Sequence, residues 1–241
     1  MANYETAPPP AEITFLFSNH AVDNYPRILD AIEQSNPNIV AVELVGESPS
    51  DRAAIEREVN AQLGGAAPSL EIEIGWFEED VITRFAGTSI QYALIDISSD
   101  HSAWVQHLTS IDYLQDYEGQ QTAKARKDAA RKFIANSATS MAQRDQHTAD
   151  MLSHLAYDNP GKRIAAVVGA MHTSLARRIT PGIASSHQFV NTVAEEAMLS
   201  PGQKARFNTH EAGRRAYIMG IASIDEIVEA IVDDQGFIRD Y

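Results

Sequence analysis

At 241 residues, with 44% hydrophobic and 22% charged side chains, the chain has the balance of a globular protein that buries a substantial core, which excludes disorder of the whole. Acidic residues number 33 against 19 basic ones, and the resulting formal charge of -14 repels phosphate backbones, so no nucleic-acid partner is expected. Cysteine is absent, which removes disulfides, thiolate metal sites and thiol nucleophiles together and leaves His, Asp, Glu or water as the only metal ligands.

Residues 1–12 hold three consecutive prolines and no periodic pattern, and read as a disordered leader to one α/β domain over 13–241. They contain neither a basic n-region nor an apolar h-region, and no apolar run in the chain approaches the ~20 residues of a membrane span. A soluble, cytoplasmic protein with no membrane partner is expected. The apolar run Ile13–Phe17 predicts a strand, and Tyr25, Ile28, Leu29 and Ile32 then recur at helical spacing until Asn36-Pro37-Asn38 stops the pattern. Ile39–Val45 predicts a second buried strand, interrupted by Glu43, which completes a parallel strand, helix, strand unit.

Ser50 or Asp51 is placed to cap a helix running to about Leu63, where Gly64-Gly65-Ala66-Ala67-Pro68 breaks it, and a further helix covers Trp76–Phe85. Ser89–Ile97 is the third predicted strand, with Asp96 near its carboxyl end. Three helices, over about 102–117, 122–136 and 139–157, then form a helical insertion spanning about 100–158. Its basic stretch Lys124–Lys132 also holds Asp128 and three alanines, the mark of a solvated helix face. After the turn Asn159-Pro160-Gly161, Arg163–Val168 predicts a fourth buried strand that leads through Gly169-Ala170-Met171 to His172. A weaker strand at His187–Val193 and an amphipathic helix at Ile221–Val232 complete the chain. The expected architecture is a mostly parallel central sheet flanked by helices, with the helical insertion before the strand that ends at His172.

Four of these strands deliver a polar side chain near the carboxyl end: His20, Glu43, Asp96 and His172. In a parallel sheet those ends share one edge, the edge where open α/β folds bind ligands. Glu43 interrupts an apolar run, and a carboxylate in such surroundings must be paired, metal-bound or protonated to offset its desolvation. Asp96 fits equally the cap of a following segment and a place in the site. Arg144 lies on a helix whose apolar positions are Met141, Met151, Leu152 and Leu155. It is either an exposed ion pair or a guanidinium facing the crevice, paired there with Glu43 or Asp96 and able to hold a substrate carboxylate or a developing oxyanion. Neither a phosphate-binding loop nor a Gly-x-Ser-x-Gly elbow nor a His-Glu-x-x-His motif occurs, so hydrolysis here would use a water activated by a metal or by a histidine.

The order of these residues resembles that of the TraB/Tiki-like superfamily, whose relatives include the erythromycin esterase-like and ChaN-like haem-binding proteins. Phe17-Ser18-Asn19-His20 stands for the opening Gly-x-x-His motif, with Phe17 where the pattern has glycine. Pro37-Asn38-Ile39-Val40-Ala41-Val42-Glu43 matches the second-strand pattern, Arg144-Asp145 the helical pair, and Gly169-Ala170-Met171-His172 the second Gly-x-x-His. The resemblance implies a hydrolase-like site built on His20, Glu43, Arg144 and His172. The leading expectation is then a divalent metal (Zn, Mn or Co) on His20, Glu43 and His172 that activates water, with Arg144 orienting a small-molecule or peptide substrate and Asp96 positioning a histidine. Two alternatives stay open: a metal-independent, esterase-like hydrolase with His20 or His172 as general base, and a non-catalytic protein that holds a small molecule or haem in the same crevice.

Overall fold

The computed structural model describes residues 8–18, 24–44, 47–69, 71–169, 172, 174–190 and 222–231. Five strands, β1 (Glu12–Ser18), β2 (Ile39–Val42), β3 (Gln91–Leu94), β4 (Arg163–Gly169) and β5 (Ser185–Val190), form one sheet in the order β3-β2-β4-β1-β5. Every pairing is parallel, where the sequence predicts a mostly parallel sheet. The carboxyl ends of all five strands therefore lie along one edge. β2 is shorter than its apolar run: it stops at Val42, and the ladder to β4 closes one residue later, where the Glu43 amide donates to the Val167 carbonyl at 3.0 Å.

Side chains alternate between the two faces of the sheet, and each face is covered. Leu16, Val40, Val42, Leu94, Ala165 and Val167 pack with α1 (Tyr25–Ser35), α2 (Pro49–Leu63) and α3 (Trp76–Phe85). Ile13, Phe15, Phe17, Ile39, Ala41, Ala166 and Val168 pack on the opposite face with α6 (Leu175–Arg178) and the last third of α5 (Ala123–Asp158). Each fully buried Leu, Ile, Val or Phe in these layers contributes roughly 1.5–3 kcal/mol. Helix α1 ends at Asn36, whose left-handed φ of 46° is one that asparagine tolerates. Since α1 follows β1 on one face and α6 follows β4 on the other, the adjacent strands β1 and β4 send their connections to opposite sides, which is the topological switch point of an open α/β sheet.

Several expectations shift. The cap of α2 is Ser48, ahead of Ser50 and Asp51; its hydroxyl accepts from the Asp51 amide at 3.2 Å. The break expected between the second and third insertion helices does not occur, and α5 runs unbroken from Ala123 to Asp158. Ser137 and Thr139 turn their hydroxyls onto the Ile134 and Ala135 carbonyls, at 3.1 and 2.8 Å, so their hydrogen bonding is absorbed by the helix. Of the leader expected over 1–12, residues 1–7 lie outside the described residues. From Pro9 onward the chain is pinned: the Pro9 carbonyl accepts from Gly161, and Ala11 is buried with its amide on the Ala156 carbonyl.

Where the sequence predicts one domain with an insertion, the chain divides into two compact units, residues 1–98 with 145–192 and residues 99–144 with 193–241. The first unit contains the sheet. The described part of the second consists of α4 (Ser102–Gly119), the first two thirds of α5 and α7 (Ile224–Ile231). Ile227 and Val228 of α7 pack on Ala129, Ala130 and Ile134 of α5, and Arg131 ties the pair through Asp225 at 2.6 Å. No described helix is long and apolar enough to cross a membrane.

Candidate functional site

The site forms where β2 and β4 end side by side. Alternation along β2 puts Glu43 on the face of Ile39 and Ala41, the face that α5 covers. On α5, Ala149, Leu152 and Ala156 make a buried stripe, and one turn before Ala149 the same stripe carries Asp145. From β4 the chain passes Gly169 and reaches His172, which is 6% exposed. The Nε2 of His172 lies 2.9 Å from the Oε1 of Glu43, and its Nδ1 is hydrogen-bonded to the Oδ1 of Asp145. A single imidazole is thus held between two carboxylates delivered by two different elements.

The surrounding bonds hold both carboxylates in place. The Oε2 of Glu43 accepts from the Gly169 amide at 2.6 Å, which ties the end of β2 to the end of β4. The Oδ2 of Asp145 accepts from the Ser174 hydroxyl. Ser174 in turn accepts from the Arg178 Nε at 3.3 Å, and Arg178 also donates to the Oε1 of Gln146 at 3.1 Å. A relay therefore runs Arg178, Ser174, Asp145, His172, Glu43, Gly169 amide. Burial by itself pushes the His172 imidazole down, because it disfavours charge. Glu43 and Asp145 more than reverse this and raise it from 6.5 to about 10, so that His172 is an imidazolium at neutral pH with an N–H directed at each carboxylate.

Of the residues expected at the site, Glu43 and His172 meet. His20 lies outside the described residues. Phe17, at the position of the missing motif glycine, is buried and stacks on Phe15 with ring centroids 5.7 Å apart. The register pairs Ser18, not Phe17, with Gly169, so the two Gly-x-x-His positions are staggered by one residue. Arg144 is buried and immediately precedes Asp145 in α5, and it falls in the second compact unit. At His172 the positioning role expected of Asp96 belongs to Asp145. Asp96 is buried after β3, accepts from the Ile97 amide at 2.6 Å, and lends its field to Arg52. In sequence Asp145 appears only as the second member of the pair Arg144-Asp145, with no role expected at the site. Its signal was a carboxylate on the apolar stripe of a long helix, beside an arginine already singled out.

The donor set can be tested for a metal. A ligating histidine characteristically gives its other ring nitrogen to a carboxylate, as His172 does to Asp145. That leaves Nε2 and the Oε1 of Glu43 adjacent, with a proton where a cation would sit. An imidazole nitrogen and a carboxylate oxygen are donor types that Zn, Mn and Co accept. Among the described residues no group of three His, Asp or Glu side chains is arranged to hold an ion by itself, and the third expected donor, His20, lies outside them. The chain matches no family model, no curated protein and no solved structure.

Proposed function

We propose that the chain is a hydrolase that activates water at His172 and Glu43, with a divalent metal held by the Nε2 of His172, the carboxylate of Glu43 and His20. The observation that carries this reading is the imidazole of His172, fixed between Asp145 and Glu43 at the carboxyl edge of the sheet. When bound, such an ion lowers the pKa of a coordinated water toward neutrality and polarises the scissile carbonyl. Asp145 keeps the imidazole in one orientation with Nε2 turned to Glu43, and Ser174 and the Gly169 amide hold the two carboxylates. In this reading Glu43 serves the ion as a ligand, and the coordinated water, with its pKa lowered, is the nucleophile. Peptides and small-molecule esters are the substrate classes to screen.

A metal-independent variant of the same chemistry draws on a specific observation. His172 is held between two carboxylates with no third donor beside it among the described residues, an arrangement in which Glu43 and His172 can share a proton without a metal. One experiment separates the two. Purified protein is stripped with chelator, titrated with Zn, Mn and Co, and assayed on peptide and ester libraries at each stage. The metal reading expects one bound equivalent, activity restored by that ion, and loss of both in Glu43→Gln and His172→Ala, with hydrolysis down at least about 100-fold, on the scale that such groups contribute. Full activity in the stripped protein would select the metal-independent reading. Absence of hydrolysis at every stage would refute both.

A further inference from the structure

Beside the relay, on the face of the sheet covered by α1 and α3, lies a cavity of ≈ 350 Å³ whose walls include Tyr25, Glu43, Trp76, Phe77 and Glu78. This is within the size of small-ligand pockets, roughly 300–1,000 Å³. Glu43 is a wall residue of this cavity, and its side chain makes the relay on the opposite face of the sheet, so the cavity adjoins the end of β2 that carries the proposed site. Three of these five residues are aromatic. Tyr25 and Phe77 meet edge to face with centroids 5.0 Å apart, which fixes both rings. Trp76, the first residue of α3, is 69% exposed, an indole left in solvent at the rim.

The wall is also negative. Glu78 is only 4% exposed, and its Oε1 accepts from the Tyr92 hydroxyl at 2.7 Å. Its Oε2 occupies space that a Cβ on residue 75 would enter to 2.5 Å, so Gly75 permits this packing. A phenol does not neutralise a carboxylate, and among the described residues Glu78 has no ion-pair partner. Burial, then the charges of Glu78 and Asp80, raise the Tyr25 hydroxyl above its ordinary range, so the negative field reaches the aromatic wall. A buried carboxylate without a cation, beside aromatic faces and an exposed indole, is the combination that binds organic ammonium groups.

We infer that this cavity is the specificity pocket of the site and selects substrates carrying a cationic group on an apolar stem, stacked on Trp76 and balanced by Glu78. The inference rests on the hydrolase reading for the word substrate, but not for the binding. It is tested with choline and its neutral isostere 3,3-dimethylbutanol, followed through Trp76 emission in a Trp104→Phe background, since the chain has two tryptophans. Choline is expected to saturate at a concentration at least about tenfold below the isostere, the order of a cation held at an aromatic face. Glu78→Gln, which keeps an acceptor for Tyr92, should erase that preference. Trp76→Ala, a surface change that spares the fold, should weaken choline binding by a similar factor, followed by the N-methyl proton resonance of choline.

Equal binding of the two probes, or no saturable response, overturns the inference. Matched lysine and norleucine p-nitrophenyl esters then separate it from the reading beneath it. Hydrolysis of both esters at equal kcat/KM, with no choline preference, leaves the hydrolase and removes the pocket. Choline binding lost in Glu78→Gln, with no hydrolysis of any substrate, leaves the pocket and removes the hydrolase.

Discussion

At the scale of single residues, the behaviour of His172 is set by two opposing effects of similar origin. Burial withdraws the water that would solvate an imidazolium, and the same burial strengthens its attraction to Glu43 and Asp145; the carboxylates win. In chelator-treated protein this has a pH signature. The pKa of His172 is about 10 in the fold against about 6.5 in an unfolded chain, so its contribution to stability is complete below pH ~6.5 and is lost as pH rises through ~10. Asp145→Asn keeps the shape and removes one charge. It should lower the His172 pKa in a proton NMR titration and flatten the decline in stability between pH ~6.5 and ~10. An unchanged pKa in Asp145→Asn would show that Glu43 alone holds the proton.

At the scale of elements, the carboxyl edge depends on how α2 is tied to it. Arg52 of α2 is buried and donates from one terminal nitrogen to the carbonyls of Leu44 and Ile97, at 2.7 and 3.1 Å, clamping the segments that leave β2 and β3. Asp96 supports its charge. Arg52→Ala strands two buried carbonyls, a loss of about 2–4 kcal/mol in urea unfolding. Ser48→Ala removes only the cap of the same helix and should cost about 1 kcal/mol. If the two losses were equal, Arg52 would be acting as little more than a helix residue.

At the scale of the whole molecule, the charge of -14 gives the chain a net negative field in which any cation approaching the Trp76 cavity moves. Raising ionic strength from about 10 mM to about 150 mM shortens the Debye length from about 30 Å to about 8 Å, which screens that field but leaves short contacts intact. Choline affinity should fall severalfold over this range while that of 3,3-dimethylbutanol stays constant. A salt-independent choline affinity would place its recognition wholly in the contacts with Trp76 and Glu78.

Local pattern determined much about this protein by itself. Buried runs at Ile13–Phe17, Ile39–Val45 and Arg163–Val168 declared strands, the second longer than the Ile39–Val42 that pairs, the spacing of Tyr25, Ile28, Leu29 and Ile32 declared α1, and Glu43 and His172 stood out as polar groups in or after apolar segments. These signals are legible because each depends on neighbours within a few residues along the chain. Only the tertiary structure decided that β4 enters between β1 and β2, and this places the end of β4 against Glu43. It also decided that Asp145, 27 residues before His172, is its partner, and that Trp76 and Glu78 line a cavity at the end of β2. Hydrogen bonds and cavity walls between residues far apart in the chain leave no periodicity in the sequence; they arise only when the sheet order brings separate elements to one edge.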